Sequence, residues 1–353
     1  MRLLAIGVLS NVVFVAGCSS NTEPTPTPTP PVTPDPPRIT CPSPQTVQLT
    51  TRATSTAVVY GTATAVGGQA PVTTACTPAS GSLFNVGQTT VSCTATDALQ
   101  RTDTCSFLVT VVAPPMLTAT TFVAFGDSIT SGESGLDSVT AAGARPLIVS
   151  RFHPTVLLPF DQRYPTVLEK SLGARYQTQT PMVANSGAPG EAVADRGTFP
   201  RFTGILAGGQ YSVVLIMEGT NDLYVHDSLT IPPAINGLRQ MVREARNRGV
   251  RPFLATIPPI SPNGFRGAAY SWDLVPEFNN QVRALAASEN VTLADVYQGF
   301  NDDFSLLGID GLHPNADGYA KIAEIFFNAI RQTLETPATS LPGAAGAFIG
   351  RRR

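Results

Sequence analysis

Charge is scarce in this sequence. Charged residues make up only 14% of the 353 residues, and the formal net charge is −2. A chain of this composition has no extended basic face, which argues against nucleic acid as a partner. The sequence also lacks a Gly-rich phosphate-binding loop and any cluster of metal ligands, so we expect neither a cofactor nor a metal ion.

Cysteine is absent after residue 105. Four of the five cysteines, Cys41, Cys76, Cys93 and Cys105, lie between residues 38 and 113. An even number of cysteines in a small exported domain indicates two disulfides, because a small core needs covalent support. The sequence alone leaves three pairings open. A metal site is the alternative, but these cysteines lack the paired Cys-x-x-Cys spacing.

The apolar run nearest the N-terminus is too short to span a membrane. It covers residues 3–16 and follows the basic Arg2, which is typical of a secretory signal peptide. Gly17-Cys18 then resembles the end of a bacterial lipoprotein signal, in which the cysteine is lipidated. We expect residues 1–17 to be removed and acyl chains on Cys18 to hold the exported protein on a membrane. An ordinary signal peptide that is cleaved elsewhere is the alternative.

The residues that follow Cys18 predict where the anchored protein resides. Ser19 lacks the acidic character that is linked to inner-membrane retention, so the outer membrane is the expected destination. Residues 18–37 are dominated by Thr-Pro repeats, which favour extended polyproline II and predict a stalk. Residues 337–353 are rich in Pro, Ala and Gly and predict a disordered tail.

Residues 38–113 form a separate zone rich in Thr, Val, Ala and Gly. Polar and apolar residues alternate in segments such as Thr89-Thr90-Val91-Ser92-Cys93, which predicts a small antiparallel, Ig-like β-sandwich. The stretches from Phe84 to Val91 and from Cys105 to Val111 resemble a hyalin-repeat (HYR) domain. That resemblance implies the disulfides Cys41–Cys105 and Cys76–Cys93.

Residues 119–336 alternate predicted strands and helices, as a doubly wound parallel sheet does. Short apolar runs predict five buried strands, at Phe122 to Phe125, Met182 to Ala184, Val213 to Met217, Pro252 to Ile257 and Val291 to Leu293. Apolar residues three and four apart predict helices around Ile235 to Ala245, Phe278 to Ala286 and Tyr319 to Ile330. The long segment from Glu133 to Arg163 is expected to be a loop that acts as a lid or binding wall, or else a surface insertion.

Ser128 follows the first predicted strand, in the turn Gly126-Asp127-Ser128. A buried strand that ends in a Gly-containing turn holds a hydroxyl at the carboxyl edge of the sheet, where open α/β folds place their chemistry. Serine is a weak nucleophile unless a base takes its proton, and a histidine held by a carboxylate is the usual base. Ser128 is therefore a candidate nucleophile.

Only three histidines are present, so few residues can act as the base. His313 follows Asp310 by three residues, and the intervening turn can place carboxylate and imidazole side by side. His153 lies in a Pro-flanked loop, and His226 follows Tyr224-Val225 near another polar turn. We favour His313 and keep the other two as alternatives.

Two more polar turns follow predicted strands, namely Asn185-Ser186-Gly187 and Gly219-Thr220-Asn221-Asp222. With Ser128 and His313 they resemble the four blocks of the SGNH or GDSL-type lipases and esterases, over about residues 119–336. One departure is Ile129, where the older family name implies leucine. The fold implied is an SGNH or flavodoxin-like doubly wound α/β sheet, preceded here by a small all-β sandwich.

The resemblance also implies roles for individual residues. Ser128 would be the nucleophile, His313 the base and Asp310 the group that orients the base. The oxyanion hole would consist of the backbone N–H groups of Ser128 and Gly187 and the side-chain amide of Asn221. Several fixed donors of this kind suit a tetrahedral intermediate, which concentrates negative charge on one oxygen. Asp222 is expected to brace the loop of Asn221.

These features together predict a surface-anchored serine esterase or lipase. We expect it to act as a monomer on an ester of a lipid or an acylated carbohydrate. A non-catalytic adhesion lipoprotein is one alternative. A thioesterase or acyltransferase that uses the same triad is another.

Overall fold

The structure is a computed structural model that describes residues 33–135, 145–148, 155–224, 227–264, 266 and 270–336. The predicted signal peptide, Cys18, residues 19–32 of the stalk, His153, His226 and the predicted tail lie outside these residues.

The first part of the described chain is built from short strands around a small core. The strands are β1 (Arg38–Thr40), β2 (Gln45–Gln48), β3 (Ser55–Ala57), β4 (Thr64–Val66), β5 (Thr73–Thr77), β6 (Leu83–Asn85), β7 (Gly87–Thr96) and β8 (Thr102–Val112). They form a four-stranded sheet in the order β2-β8-β7-β5 and two pairs, β1-β4 and β3-β6. Phe84, Val91, Phe107 and Val109 are buried between them.

One pair of strands differs from the expected antiparallel arrangement. β2 runs parallel to β8, with Gln45 opposite Val109, whereas the other paired strands of this region are antiparallel. A parallel pair needs a long connection, and here the intervening strands supply it. The alternating pattern predicts strands and their buried faces, but it contains no information about strand direction.

Both disulfides implied by the HYR resemblance are present in the structure. Cys41 bonds Cys105, and Cys76 on β5 bonds Cys93, its partner on β7. The sulfur atoms of Cys41, Cys93 and Cys105 lie within 4.8 Å of one another. Each of them belongs to a disulfide, so these cysteines do not offer the free thiolates that a metal site would require.

The second part of the described chain alternates strands with helices. The strands are β9 (Met116–Leu117), β10 (Thr121–Gly126), β11 (Glu133–Ser134), β12 (Arg145–Ile148), β13 (Thr155–Leu157), β14 (Met182–Gly187), β15 (Val213–Met217), β16 (Arg251–Ala255), β17 (Thr292–Ala294) and β18 (Glu335–Thr336). The α-helices are α1 (Ser128–Ser131), α2 (Tyr164–Arg175), α3 (Thr198–Ala207), α4 (Ile231–Asn247), α5 (Val275–Ser288), α6 (Val296–Phe300) and α7 (Ala316–Leu334).

The central sheet is parallel and has five strands in the order β14-β10-β15-β16-β17. In chain order this is 2-1-3-4-5, the flavodoxin-like order. The order reverses at β10, so the carboxyl end of β10 lies at the switch point where such sheets bind ligands. Gly126, the last residue of β10, is paired with Gly187 on one side and Met217 on the other.

Helices cover both faces of this sheet. On one face Phe122, Leu215 and Phe253 pack with buried side chains of α2 and α7. On the other face Val123 and Ile216 pack with buried side chains of α3, α4 and α5. Successive residues of a strand point to opposite faces, so strands that are apolar throughout are explained by a cover on each side. The predicted doubly wound fold is confirmed.

The segment from Glu133 to Arg163 is not the simple loop that we expected. Its described residues include three short strands, which form an antiparallel sheet in the order β11-β13-β12.

A further antiparallel pair, β9 with β18, joins Leu117 to Glu335 near the two limits of the α/β region. Among the described residues, no helix has both the length and the apolar character that crossing a membrane requires.

Candidate active site

Ser128 is held by a tight junction between β10 and α1. Asp127 caps α1, because its Oδ1 accepts a hydrogen bond of 2.8 Å from the backbone N–H of Ile129. A Cβ atom on Gly126 would lie 2.4 Å from the backbone oxygen of Met217, so only glycine fits at the end of this strand. Ser128 is 7% exposed, so this residue is almost fully buried in the junction.

His313 and Asp310 complete a hydrogen-bonded row with this hydroxyl. The Nε2 atom of His313 lies 2.9 Å from Oγ of Ser128, and its Nδ1 atom lies 2.6 Å from Oδ2 of Asp310. The second carboxylate oxygen of Asp310 accepts from the backbone N–H groups of Leu312 and His313, each at 3.0 Å. The three residues predicted to act together are therefore in contact.

The environment of Asp310 favours its charged form. Burial alone would raise the pKa of this carboxyl, but the hydrogen bond and charge of His313 and the two backbone N–H donors outweigh it, so the pKa lies below its ordinary value. Arg266 adds a cation, with its Nε atom 3.5 Å from Oδ2 of Asp310. A negative Asp310 can stabilise a positive charge on His313.

Gly187 packs directly against α1. A Cβ atom at this position would lie 2.1 Å from the backbone nitrogen of Ser131, which leaves no room for any side chain. The N–H of Gly187 donates to Oδ1 of the exposed Asn185 at 3.0 Å. A substrate oxygen that uses this N–H would have to take the place of the Asn185 amide.

The side chain of Asn221 is hydrogen-bonded at both ends. Its Nδ2 atom donates to the backbone oxygen of Glu191 at 2.8 Å, and its Oδ1 atom accepts from the hydroxyl of Tyr270 at 3.0 Å. The next residue, Asp222, accepts from the backbone N–H groups of Val193 and Ala194. Asp222 therefore ties this turn to the segment that carries Glu191, as we expected.

Three buried carboxyl groups, those of Asp127, Asp222 and Glu218, belong to the segments that carry Ser128 and Asn221. Burial raises the pKa of Asp127 to about 6 and that of Asp222 to about 6. Glu218 is fully buried. Burial, followed by the charges of Asp127 and Glu191, raises the pKa of Glu218 well above its ordinary value, so this side chain retains its proton to higher pH than a free carboxyl.

Comparison with known families agrees with this geometry. Residues 124–321 match the model of the GDSL-like Lipase/Acylhydrolase family, and this range includes Ser128, Asn221 and His313. The chain belongs to the GDSL-like lipase/acylhydrolase family. Residues 32–111 match the HYR domain. The protein therefore contains a GDSL-like hydrolase domain with an HYR domain before it.

One curated relative of this GDSL hydrolase is a multidomain esterase from Ruminococcus flavefaciens. The two are 28% identical over 151 residues, which is 39% of this chain and only 19% of the relative. Among solved structures, a lipase/acylhydrolase from Enterococcus faecalis is 20% identical and covers 62% of this chain and 98% of its own, with a TM-score of 0.48. A carbohydrate acetylesterase from Sinorhizobium meliloti is 21% identical and covers 60% of this chain and 98% of its own, with a TM-score of 0.49.

Sequence reasoning missed three residues around this site. Oε2 of Glu133 lies 3.9 Å from Nε2 of His313. Arg266 lies beside Asp310, and Tyr270 donates to Asn221. Glu133 could have been suspected, because an acidic residue flanked by Gly132 and Gly135 follows the nucleophile closely. Arg266 and Tyr270 belong to no motif, and only the tertiary fold brings them to the site.

Proposed function

We propose that this GDSL hydrolase cleaves carboxylic esters through an acyl-enzyme on Ser128, with His313 as base and Asp310 as the orienting acid. The hydrogen-bonded row from Ser128 through His313 to Asp310 is the observation that supports this proposal most directly. It lies at the switch point of the sheet, where a substrate can reach it. An intact row of this kind also argues against a non-catalytic adhesion role.

The proposed reaction has two stages. In the first, Nε2 of His313 takes the proton of Ser128 while Oγ attacks the ester carbonyl carbon, and the resulting imidazolium gives that proton to the departing alcohol. In the second, His313 removes a proton from water, the hydroxide attacks the acyl carbon, and Ser128 leaves with the proton. Asp310 holds Nδ1 of the imidazole and stabilises its positive charge in both stages. A thioester would react by the same steps, and assays with paired oxygen and sulfur esters distinguish the two substrate classes.

The proposed oxyanion hole consists of the N–H groups of Ser128 and Gly187 and the Nδ2 atom of Asn221. Gly187 is supported by its close approach to α1, and Asn221 by the fixed orientation of its amide. Negative charge develops on the carbonyl oxygen only as Ser128 attacks, so these donors act mainly on the transition state.

We expect Asn221→Ala to lower kcat by roughly 10² to 10³, which is the usual cost of removing one oxyanion donor. The rate of 4-nitrophenyl acetate hydrolysis measures this effect. Asn280, an exposed asparagine on α5, supplies the matched control, and Asn280→Ala should keep full activity. If Asn221→Ala changed only KM, Asn221 would be a ground-state binding residue and this assignment would be wrong.

The two disulfides and the HYR domain indicate an extracellular protein. We further propose that lipid on Cys18 anchors it to a bacterial outer membrane, as the sequence around Cys18 predicts. The stalk that follows Cys18 would then separate the folded domains from the bilayer.

We expect Cys18→Ser to move the protein from the membrane fraction to the soluble fraction without changing kcat on a soluble ester, because the anchor determines only location. Immunoblots of fractionated cells and assays of both fractions measure this. Ser19→Ala, which leaves the cysteine in place, is the control and should stay with the membrane. A Cys18→Ser protein that remained membrane-bound would contradict the lipid anchor.

A further inference from the structure

The contacts of Asn221 determine which way its amide points. The backbone oxygen of Glu191 can only accept a hydrogen bond, so the atom 2.8 Å from it must be the NH₂ group of Asn221. The other end of the amide is then Oδ1, and the hydroxyl of Tyr270, 3.0 Å away, must be the donor to it. Two neighbours on opposite ends fix both the rotamer and the plane of the amide.

This orientation suits an oxyanion donor. An amide nitrogen carries two hydrogens, and the Glu191 oxygen uses one of them, which leaves the other for an oxygen of the substrate. The hydrogen bond that Oδ1 accepts also draws electron density away from the nitrogen. Hydrogen bonds in such chains strengthen one another, so Tyr270 makes the remaining N–H a better donor.

Tyr270 is itself held in place. It is 6% exposed, and its ring stands edge-on to that of Tyr224, with centroids 5.1 Å apart. Its backbone N–H donates to the backbone oxygen of Arg266, whose own N–H donates to the backbone oxygen of Asp310. Burial raises the pKa of Tyr270, and the charge of Arg266 offsets this only in part, so the phenol remains a donor at working pH.

Arg266 and Tyr270 thus reach the two halves of the site. Arg266 lies beside the carboxylate of Asp310, and Tyr270 holds the amide of Asn221. The Glu191 end of the same amide is also braced, because Arg201 forms an ion pair with Glu191 and donates to the backbone oxygen of Ser186 at 2.8 Å. The amide therefore lies between two supports, each of which is itself held by further contacts.

We propose that Tyr270 is a positioning residue for catalysis, whose hydroxyl orients and polarises the Asn221 amide toward the developing oxyanion. This inference rests on the proposed oxyanion role of Asn221. Tyr270 need not touch the substrate, because it acts through Asn221.

The test compares kcat and KM for 4-nitrophenyl acetate in four full-length proteins: wild type, Tyr270→Phe, Asn221→Ala and the double variant. We expect Tyr270→Phe to lower kcat about tenfold, the effect of losing one hydrogen bond of ordinary strength, with KM changed less than about twofold. The double variant should be no slower than Asn221→Ala alone, because Tyr270 acts only through that amide. Tyr224→Phe, which keeps the ring pair and removes a hydroxyl from an exposed side chain, is the matched control and should retain full activity.

Three outcomes would overturn the proposal, and they are distinct. If Tyr270→Phe kept full kcat while Asn221→Ala had a low kcat, Tyr270 would have no positioning role and the oxyanion assignment would stand. This conclusion would hold at any thermal midpoint of Tyr270→Phe. Losses that multiply in the double variant would mean that Tyr270 acts independently of Asn221. Full kcat in Asn221→Ala would overturn both the oxyanion assignment and the positioning role that depends on it.

Discussion

Ser128→Ala is expected to lower kcat on soluble esters by roughly 10⁶ and to abolish labelling by a fluorophosphonate probe. Ser128 alone would form the bond to the acyl group, so its loss removes the whole two-stage pathway. The fold should survive, because the described contact of the hydroxyl is with His313, and alanine fits where serine does. Activity assays, probe labelling and a thermal midpoint close to that of the wild type would together establish this.

The same helix offers a matched control for Ser128. The hydroxyl of Ser131 donates to the backbone oxygen of Ser128 at 2.8 Å and makes no contact with His313 in the described hydrogen bonds. Ser131→Ala should therefore label normally. Undiminished labelling of Ser128→Ala, or loss of labelling only in Ser131→Ala, would show that the nucleophile has been assigned to the wrong residue.

His313→Asn is expected to lower kcat by about 10⁵ to 10⁶, because no base remains to take the Ser128 proton. Asparagine is preferable to alanine here. Its amide can still donate to Asp310, whereas alanine would leave that buried carboxylate without its side-chain donor and would cost stability. A low kcat at an unchanged thermal midpoint would then report on chemistry alone.

The two other histidines supply the controls for His313. His153→Asn and His226→Asn should both keep full activity, although these residues lie outside the described part of the chain. An inactive His226→Asn beside an active His313→Asn would move the base to His226. Because the whole chain has three histidines, these three variants test every histidine as the base.

The central sheet was predictable because its strands are buried on both faces. The run Val213 to Met217 was predicted with its observed limits, since five successive buried residues give a clear signal. β14 extends beyond its prediction to Gly187, because the polar residues from Asn185 onward continue to pair through their backbone with β10. Polar residues at the end of a strand give no apolar signal, although that is where this fold places its chemistry.

Among the helices that were not predicted from the sequence, α3 and α2 were missed for different reasons. α3 contains Pro200, which normally discourages a helix, but Pro200 lies in the first turn, where a missing N–H breaks no helical hydrogen bond. α2 begins with Tyr164-Pro165, and its apolar residues do not form a regular stripe. The sequence of this segment therefore shows no helical periodicity of apolar residues. Its fit against α7, including the stacked rings of Tyr164 and Phe326, depends on tertiary packing.

The motif residues of the candidate site could be predicted, whereas their supports could not. Ser128, Asp310 and His313 follow from chemistry and local spacing, and the structure brings them into hydrogen-bond contact. The bond between the Gly187 N–H and Asn185, and that between Tyr270 and Asn221, join groups whose pairing depends on side-chain rotamers or on distant segments. A single sequence contains the residue types for such contacts but not their distances.

The pairing of β9 with β18 brings both ends of the hydrolase domain together at one pole of the domain. Met116 and Thr336 are paired there, and Thr118 donates to Leu334 close by, so the chain enters and leaves the domain side by side. This pole lies at the amino edge of the parallel sheet, and Ser128 lies at the carboxyl edge, about 20 Å away along the six residues of β10. A surface or a neighbouring module that is joined to either terminus of the domain is therefore attached at the pole opposite Ser128.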